Sequence, residues 1–179
     1  MMPLNIVLFE PEIPQNTGNI ARTCAALNAH LHLVHPLGFS IDDRQLKRAG
    51  LDYWHLLSIQ QWKSIDEFLG VHTCSDLWFF TTKAPRIYCE APFTNDAFLI
   101  FGKESAGIPE TVLTRYPRQC VRIPMIDEAR SLNLSNTVAI AAYEYERQHG
   151  FSGLQITGQL HTLTWPETVQ TTFYQGGGS

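Results

Sequence analysis

Short apolar runs that alternate with helix-like stretches are the feature that most constrains the fold of this chain. Runs rich in β-branched and aromatic residues, each bounded by Gly, Pro, Asn or Asp, predict strands at 4–9, 30–34, 77–82, 97–101 and 120–123. Helix-like stretches follow at 16–28, 42–50, 64–69, 109–115 and 134–149. Strands that alternate with helices form a mainly parallel sheet flanked by helices on both faces. The predicted fold class is therefore α/β.

Length and hydropathy predict one domain. A chain of 179 residues that is 44% hydrophobic can bury one substantial core, which we place in residues 1–150. After Phe151 the composition turns to Gly, Thr and Gln, so residues 151–179 are predicted to be a tail without an assigned function. No apolar stretch approaches the roughly 20 residues that cross a bilayer. The first apolar run is followed at once by an acid, so we expect a cytoplasmic protein without a signal peptide.

The charge balance limits the kind of RNA contact that is possible. Thirteen basic and 17 acidic residues give a formal net charge of −4, which argues against non-specific coating of nucleic acid. Any RNA contact would need a local patch, and Arg44, Lys47 and Arg48, followed by the aromatic pair 53–54, offer one. A solvated helix face is an equally good interpretation of that patch.

Metal chemistry is not indicated. Four cysteines are spread along the chain without a C-x-x-C pair, so neither a zinc knuckle nor a redox motif is predicted. His30, His32 and His35 lack a carboxylate or cysteine at ligand spacing, and we interpret them as ordinary surface histidines.

The first of three segments that could carry chemistry enters the helix after the first strand. Asn16 and Gly18 suit a tight helix entry, and Arg22 lies one to two turns further on. A helix N-terminus behind a parallel strand attracts anions, so an RNA phosphate would fit there. Taken alone, an arginine on a helix is more often a solvated or ion-paired side chain, and the surrounding pattern is what favours a functional role for Arg22.

The other two segments follow later strands. Residues 102–107 form a loop with Gly102 and Gly107 at its ends, and ligands of α/β sheets bind beyond the carboxyl ends of strands. In the third segment a strand leaves through Pro124, and Ser131 and Asn133 precede a long helix. On its own this segment is a helix cap, to which a functional interpretation adds a ligand.

In this order and spacing the three segments resemble the motifs of the SPOUT RNA methyltransferases. The motifs are Asn-x-Gly-x-x-x-Arg at 16–22, Gly-x-Glu-x-x-Gly at 102–107, and Ile-Pro-Met at 123–125 with Ser-Leu-Asn-x-Ser-Asn at 131–136. Over residues 4–150 the chain most resembles the small single-domain members that methylate the wobble ribose of certain leucine tRNAs. It departs from the usual second motif in having Lys103 where Pro is common and Ala106 where Arg is common.

The resemblance implies a C-terminal trefoil knot that holds S-adenosylmethionine (AdoMet), and methyl transfer to the 2′-OH of a tRNA wobble cytidine or uridine. It also implies a homodimer, which agrees with the nearly all-apolar helix centre at 138–143; a helix that crosses the core is the alternative. Arg22 is the implied catalytic residue. Because a protonated guanidinium has no acceptor for the proton of the 2′-OH, we predict instead that Arg22 binds the phosphate beside the target ribose. The implied cofactor contacts are Phe80, Gly102, Glu104, Ile123, Ser131 and Leu132. From their charge, we predict that the RNA-contact surface consists of Arg44, Lys47, Arg48 and Arg130.

Two other classes of function compete with this prediction. A non-catalytic RNA-binding or assembly factor could keep the fold, but it would have no need of a cofactor pocket. A flavodoxin-like nucleotide-binding domain fits the strand pattern but leaves Arg22 and residues 131–136 unexplained. Paired-carboxylate catalysis by Glu10, Glu12 and Glu104 is discounted, because nothing in the sequence sets their separation.

Overall fold

The computed structural model describes residues 3–40 and 57–166 and confirms an α/β fold. Its strands are β1 (Asn5–Phe9), β2 (His30–Val34), β3 (Ile59–Trp62), β4 (Leu77–Phe80), β5 (Phe98–Phe101) and β6 (Cys120–Val121). Its helices are α1 (Pro14–Leu27), α2 (Ile65–Val71), α3 (Glu110–Leu113) and α4 (Leu134–Gln148), with a 3₁₀ turn at Tyr88–Glu90. The helix predicted at 42–50 lies outside the described residues.

The six strands form one sheet in the order β3-β2-β1-β5-β4-β6, and every neighbouring pair is parallel. Alternate residues of the central strands enter two separate cores. Ile6 and Leu8 of β1 pack on the face that α1 and α4 cover, whereas Val7 and Phe9 pack on the other face with Phe68 of α2. The prediction of helices on both faces is therefore confirmed, because the period of two along a strand divides its side chains between two layers.

Strand β3 was not predicted. Its sequence is Ile-Gln-Gln-Trp, and its two glutamines are exposed while Trp62 is buried. An edge strand has only one neighbour to pack against, so it can carry polar residues that break the apolar run by which strands are recognised.

The prediction of surface histidines was wrong for His32, which is only 4% exposed. Its Nδ1 accepts a hydrogen bond from the indole N–H of Trp62 at 3.1 Å, so its Nε2 carries the proton and donates to Asn5 Oδ1 at 3.2 Å. Burial, followed by the charges of His72 and His30, lowers the pKa of His32 to about 4. Both ring nitrogens of His32 are thus engaged in structural bonds, and among the described residues no cluster of metal-ligand side chains occurs.

Helix α4 is not covered on all sides by its own chain. Val138, Ala141 and Tyr145 are buried, but Ile140 is 37% and Tyr143 is 51% exposed. The alternative that this helix simply crosses the core is therefore wrong. Within the described part of the chain, no helix is long and apolar enough to cross a membrane. The C-terminal knot and the division at residue 150 stay predictions.

Candidate functional site

A cavity of about 570 Å³ opens where β1, β4, β5 and β6 end, within the range of about 300–1,000 Å³ typical of small-molecule sites. The carboxyl ends of parallel strands meet at this edge, which is where α/β proteins bind ligands. All six residues predicted to contact a cofactor line this cavity: Phe80, Gly102, Glu104, Ile123, Ser131 and Leu132. Arg130, predicted to contact RNA, lines it as well.

Of the remaining predicted site residues, Arg22 is the one that lies within the described part of the chain. Arg22 is exposed on α1 and is not among the residues that line the cavity. Arg44, Lys47 and Arg48 fall outside the described residues. The cavity therefore gathers the whole second segment and most of the third, but of the first segment only Asn16.

The two glycines of the second segment are required by the loop itself. A Cβ on Gly102 would lie 2.1 Å from the backbone carbon of Gly107, so the two ends of the loop touch through their backbones. Gly107 has a φ of 69°, a left-handed conformation that side chains disfavour, and its N–H donates to the carbonyl of Lys103 at 2.8 Å. The loop is consequently a closed turn whose backbone forms one wall of the cavity.

The carboxylate of Glu104 is directed towards the start of α1. It accepts hydrogen bonds from the backbone N–H of Glu12 at 2.9 Å, from the N–H of Ile13 at 3.3 Å and from Asn16 Nδ2 at 2.8 Å. The N-cap of α1, Ile13, has no side chain that makes a capping bond. The carboxylate of Glu104 thus takes the position at the helix start where we had expected an RNA phosphate, because it satisfies donors at the positive end of the helix dipole.

Asn16 extends this network to the third segment. Its Oδ1 accepts from Asn133 Nδ2 at 2.9 Å, while its own amide nitrogen donates to Glu104. Asn133 is also the N-cap of α4, since its Oδ1 accepts from the N–H of Ser135 and of Asn136. One chain of side-chain hydrogen bonds therefore joins the three segments. Sequence reasoning placed both asparagines at helix starts but did not predict that they meet.

Lys103, which stands where Pro is common in the second motif, forms an ion pair beside the cavity. Its Nζ lies 2.8 Å from Glu10 Oε2, and this bond raises the pKa of Lys103. Glu12 accepts from the N–H and Oγ of Ser105 at 2.9 and 2.8 Å, and these bonds lower the pKa of Glu12. The loop after β1 and the loop after β5 are thus held together by one ion pair and by hydrogen bonds that each loop donates to the other.

The cavity combines an apolar wall with hydroxyl and amide groups. Phe80, Ile123 and Leu132 supply apolar surface, and Ser131 and Thr137 supply hydroxyl groups. This donor set suits a ligand with a flat heterocyclic base, a ribose and a polar tail, which are the parts of AdoMet. The fit is one of chemistry and size, since apolar surface binds the base while hydroxyls and backbone groups bind polar atoms.

A parallel sheet with a glycine-closed loop and a capped helix beside a cavity at its carboxyl edge defines an α/β ligand-binding protein. The model of the SpoU rRNA Methylase family matches residues 3–143, and the chain belongs to this family.

Known proteins of similar sequence and structure agree with this assignment. A protein of Photorhabdus asymbiotica named tRNA (cytidine(34)-2′-O)-methyltransferase is 47% identical over 156 residues, covering 84% of this chain and 96% of its own length. A solved structure described as giving insight into the 2-OH methylation of C/U34 on tRNA has 45% identity and a TM-score of 0.79, over 83% of this chain and 97% of that one. The SpoU methyltransferase AviRb of Streptomyces viridochromogenes, solved in complex with the cofactor AdoMet, has 25% identity and a TM-score of 0.72, over 84% and 59% of the two chains.

Proposed function

We propose that this protein transfers a methyl group from AdoMet to the ribose 2′-OH of nucleotide 34, a cytidine or uridine at the wobble position of tRNA. One observation carries the proposal: three segments separated by long stretches of chain converge on a single cavity and are hydrogen-bonded to one another. The names of relatives at 47% and 45% identity support the substrate. Leucine tRNAs are the first substrates to test, and we place the reaction in the cytoplasm.

The cofactor would be held by the residues that line the cavity. Phe80 and Leu132 offer apolar faces to the base, while Ser131 and the backbone of the 102–107 loop offer hydrogen bonds to polar atoms. AdoMet supplies a methyl group on a sulfonium, which an oxygen nucleophile can displace in line. Alignment of donor and acceptor in a dry pocket accounts for much of the rate in such a transfer.

Arg22 would act on the RNA and not on the cofactor. A guanidinium stays protonated and has no acceptor, so we assign it a grip on the phosphate beside the target ribose. Arg22 is six residues beyond Asn16 on α1, which places it about 9 Å further along the helix axis. Asn16 lines the cavity and Arg22 does not, which supports a role for Arg22 at the cavity of a second subunit.

A homodimer would supply that second cavity. α1 packs against α4, and α4 exposes Ile140 and Tyr143 to solvent. A second copy of the chain that covers these two side chains would lie beside α1 and could receive Arg22 at its own cavity. Arg130, exposed where it lines the cavity, would contact the anticodon loop together with Arg44, Lys47 and Arg48.

Labelled AdoMet and total tRNA test the proposed reaction. We expect label in tRNA, and nuclease mapping should place it on the ribose of nucleotide 34. Label in another nucleotide would show a different substrate, and a protein that binds AdoMet and tRNA without transfer would favour a non-catalytic RNA-binding factor.

Arg22 variants test the assignment of that residue. Arg22→Lys and Arg22→Ala should lose methylation, because neither reproduces the two-pronged contact of a guanidinium with phosphate. AdoMet affinity, measured by calorimetry, should stay close to that of the wild type. Loss of AdoMet binding in either variant would contradict the phosphate role.

A further inference from the structure

Two glutamates hold the loop after β1 and the loop after β5 against each other. The N–H of Glu12 donates to the carboxylate of Glu104 at 2.9 Å, and the carboxylate of Glu12 accepts from the N–H and Oγ of Ser105 at 2.9 and 2.8 Å. Each glutamate therefore binds the backbone of the loop that carries the other. We call Glu12, Glu104 and Ser105 the glutamate clasp.

The backbone of Glu12 is also fixed on its far side. The N–H of Gly38, in the loop after β2, donates to the carbonyl of Pro11 at 2.9 Å. A Cβ on Gly38 would lie 2.7 Å from Glu12 Cα, so the two backbones are in direct contact. Glu12 is therefore a fixed support, and the 102–107 loop is the partner whose position the clasp decides.

The clasp determines how the cavity loop presents its backbone. In a planar trans peptide the N–H and the preceding C=O point in opposite directions, so the bond from Ser105 to Glu12 also orients the carbonyl of Glu104. Residues 102–107 form one wall of the cavity through this backbone. A rotation of that peptide would change which polar groups meet a ligand.

We propose that Glu12 is a positioning residue that holds the 102–107 loop in the conformation that binds AdoMet, an inference that rests on the proposed function. Glu12 itself does not line the cavity and touches the ligand wall through Ser105 and Glu104. The Ser105 bonds lower the pKa of Glu12, so its carboxylate is ionised and at full strength as an acceptor at neutral pH.

Calorimetry with AdoMet tests the clasp. Glu12→Ala removes both bonds to Ser105, and we expect the Kd for AdoMet to rise about tenfold, equivalent to about 1.4 kcal/mol. Glu12→Gln keeps one acceptor oxygen, so its Kd should lie between those of the wild type and Glu12→Ala. At saturating AdoMet the kcat of both variants should stay within about twofold of the wild type, because the loop is then held by the ligand.

The chain offers a matched control on the same loop. Glu10→Gln removes the same charge, but the carboxylate of Glu10 binds the side chain of Lys103 instead of a peptide group. The Kd of this variant for AdoMet should rise less than about twofold. An equal loss of affinity in Glu10→Gln and Glu12→Ala would reduce the effect to charge and overturn the clasp.

Hydrogen exchange of the ligand-free protein provides a measurement that does not need activity. The amide of Ser105 should exchange faster in Glu12→Ala than in the wild type or in Glu10→Gln, since its acceptor is gone. If the wild type binds AdoMet, then unchanged exchange of the Ser105 amide in Glu12→Ala, or an unchanged Kd of Glu12→Ala for AdoMet, would overturn the role of Glu12 and leave the proposed function standing. A wild-type protein that does not bind AdoMet would overturn the proposed function as well.

Discussion

Asn16 is the residue whose chemistry the site uses most completely. An amide side chain offers both a donor and an acceptor, and here Oδ1 accepts from Asn133 while Nδ2 donates to Glu104. A carboxylate or a hydroxyl of similar size could not make both bonds in this order and with this reach. The direction of the hydrogen bonds, from Asn133 through Asn16 to Glu104, follows from the side chain of Glu104, which accepts from three N–H groups.

Exchanging the donor and the acceptor of the bond between Asn16 and Glu104 tests this direction. Asn16→Asp keeps the acceptor for Asn133 but sets two carboxylates against each other, whereas Glu104→Gln weakens the charged acceptor. We expect each single variant to lower the free energy of unfolding by about 2 kcal/mol, because bonds to a charged group contribute about 1.5–3 kcal/mol. In the double variant Asn16→Asp/Glu104→Gln, the amide at position 104 can donate to the carboxylate at position 16. The double variant should therefore lose at most half of the summed losses in unfolding free energy of the two single variants.

Denaturant unfolding and AdoMet calorimetry on the four proteins measure this coupling. Recovery of stability together with AdoMet affinity in the double variant would support a positioning role for the pair. Strictly additive losses would show that Asn16 and Glu104 act independently.

Stability should fall in mild acid because of His32. The folded protein holds this imidazole neutral to a pKa of about 4, with Nδ1 occupied by the Trp62 N–H, while the unfolded chain binds a proton near the ordinary value of 6.5. The unfolded state therefore takes up protons first. The full contribution is present above pH 6.5, and up to about 3 kcal/mol is lost as the pH falls to 4.

His32→Gln provides the comparison, since glutamine can bond to Asn5 and Trp62 but does not titrate. The variant should be less stable at pH 7.5, because it fills the aromatic cluster less well. The slope of its unfolding free energy between pH 6.5 and 4 should be clearly smaller than that of the wild type. Equal slopes in the two proteins would assign the acid sensitivity to other groups.

At the scale of secondary structure, two helix caps of the same type differ in what else they contact. Asn133 caps α4 and also bonds to Asn16, whereas Ser64 caps α2 by accepting from the N–H of Glu67 at 3.2 Å. Helix α2 packs on the face of the sheet opposite α4. Removing each cap in turn therefore distinguishes an effect on helix stability from an effect on the geometry of the cavity.

Asn133→Ala and Ser64→Ala should each lower the free energy of unfolding by about 1 kcal/mol, the usual value of an N-cap. Only Asn133→Ala should also weaken AdoMet binding, because its amide holds Asn16 and the cavity wall. Chemical unfolding and calorimetry on both variants measure the two effects. A similar loss of AdoMet affinity in Ser64→Ala would attribute the effect to general destabilisation.

A single subunit lacks Arg22 at its own cavity if Arg22 acts at the cavity of a second subunit. Arg22 is exposed on α1, and Ile140 and Tyr143 form an exposed apolar surface on the adjacent α4. A symmetric dimer through this surface would give each cavity the arginine of the other subunit.

Mixed dimers distinguish shared from separate sites. One subunit carries Arg22→Ala, and the other carries Leu132→Trp, which fills the cavity from a partly exposed position. A heterodimer with shared sites has one intact site. Random exchange of equal amounts should then restore about a quarter of the wild-type methylation rate, because half of the dimers are mixed. No recovery, although native mass spectrometry shows the mixed dimer, would place Arg22 and the cavity in the same subunit.

The amino-acid sequence by itself determined the class of fold and most elements, and through the family resemblance it predicted six of the residues that line the cavity. Apolar periodicity and helix caps are local signals, so they predicted β1, β2 and α4 with nearly their observed bounds. The resemblance to the family predicted Phe80, from the end of β4, and Gly102 and Ile123, from the second and third motifs, at one site, and all three line the cavity. No local signal marked β3, whose exposed glutamines interrupt its apolar pattern.

Only the tertiary structure decided which of these residues bond to each other. Glu12 and Glu104 are 92 positions apart, and Asn16 and Asn133 are 117 apart, so no periodicity relates them. The burial of His32 depends in the same way on Trp62 from a neighbouring strand. Local chemistry selects strands, turns and caps, but the partner of a polar side chain depends on which elements the folded sheet brings side by side.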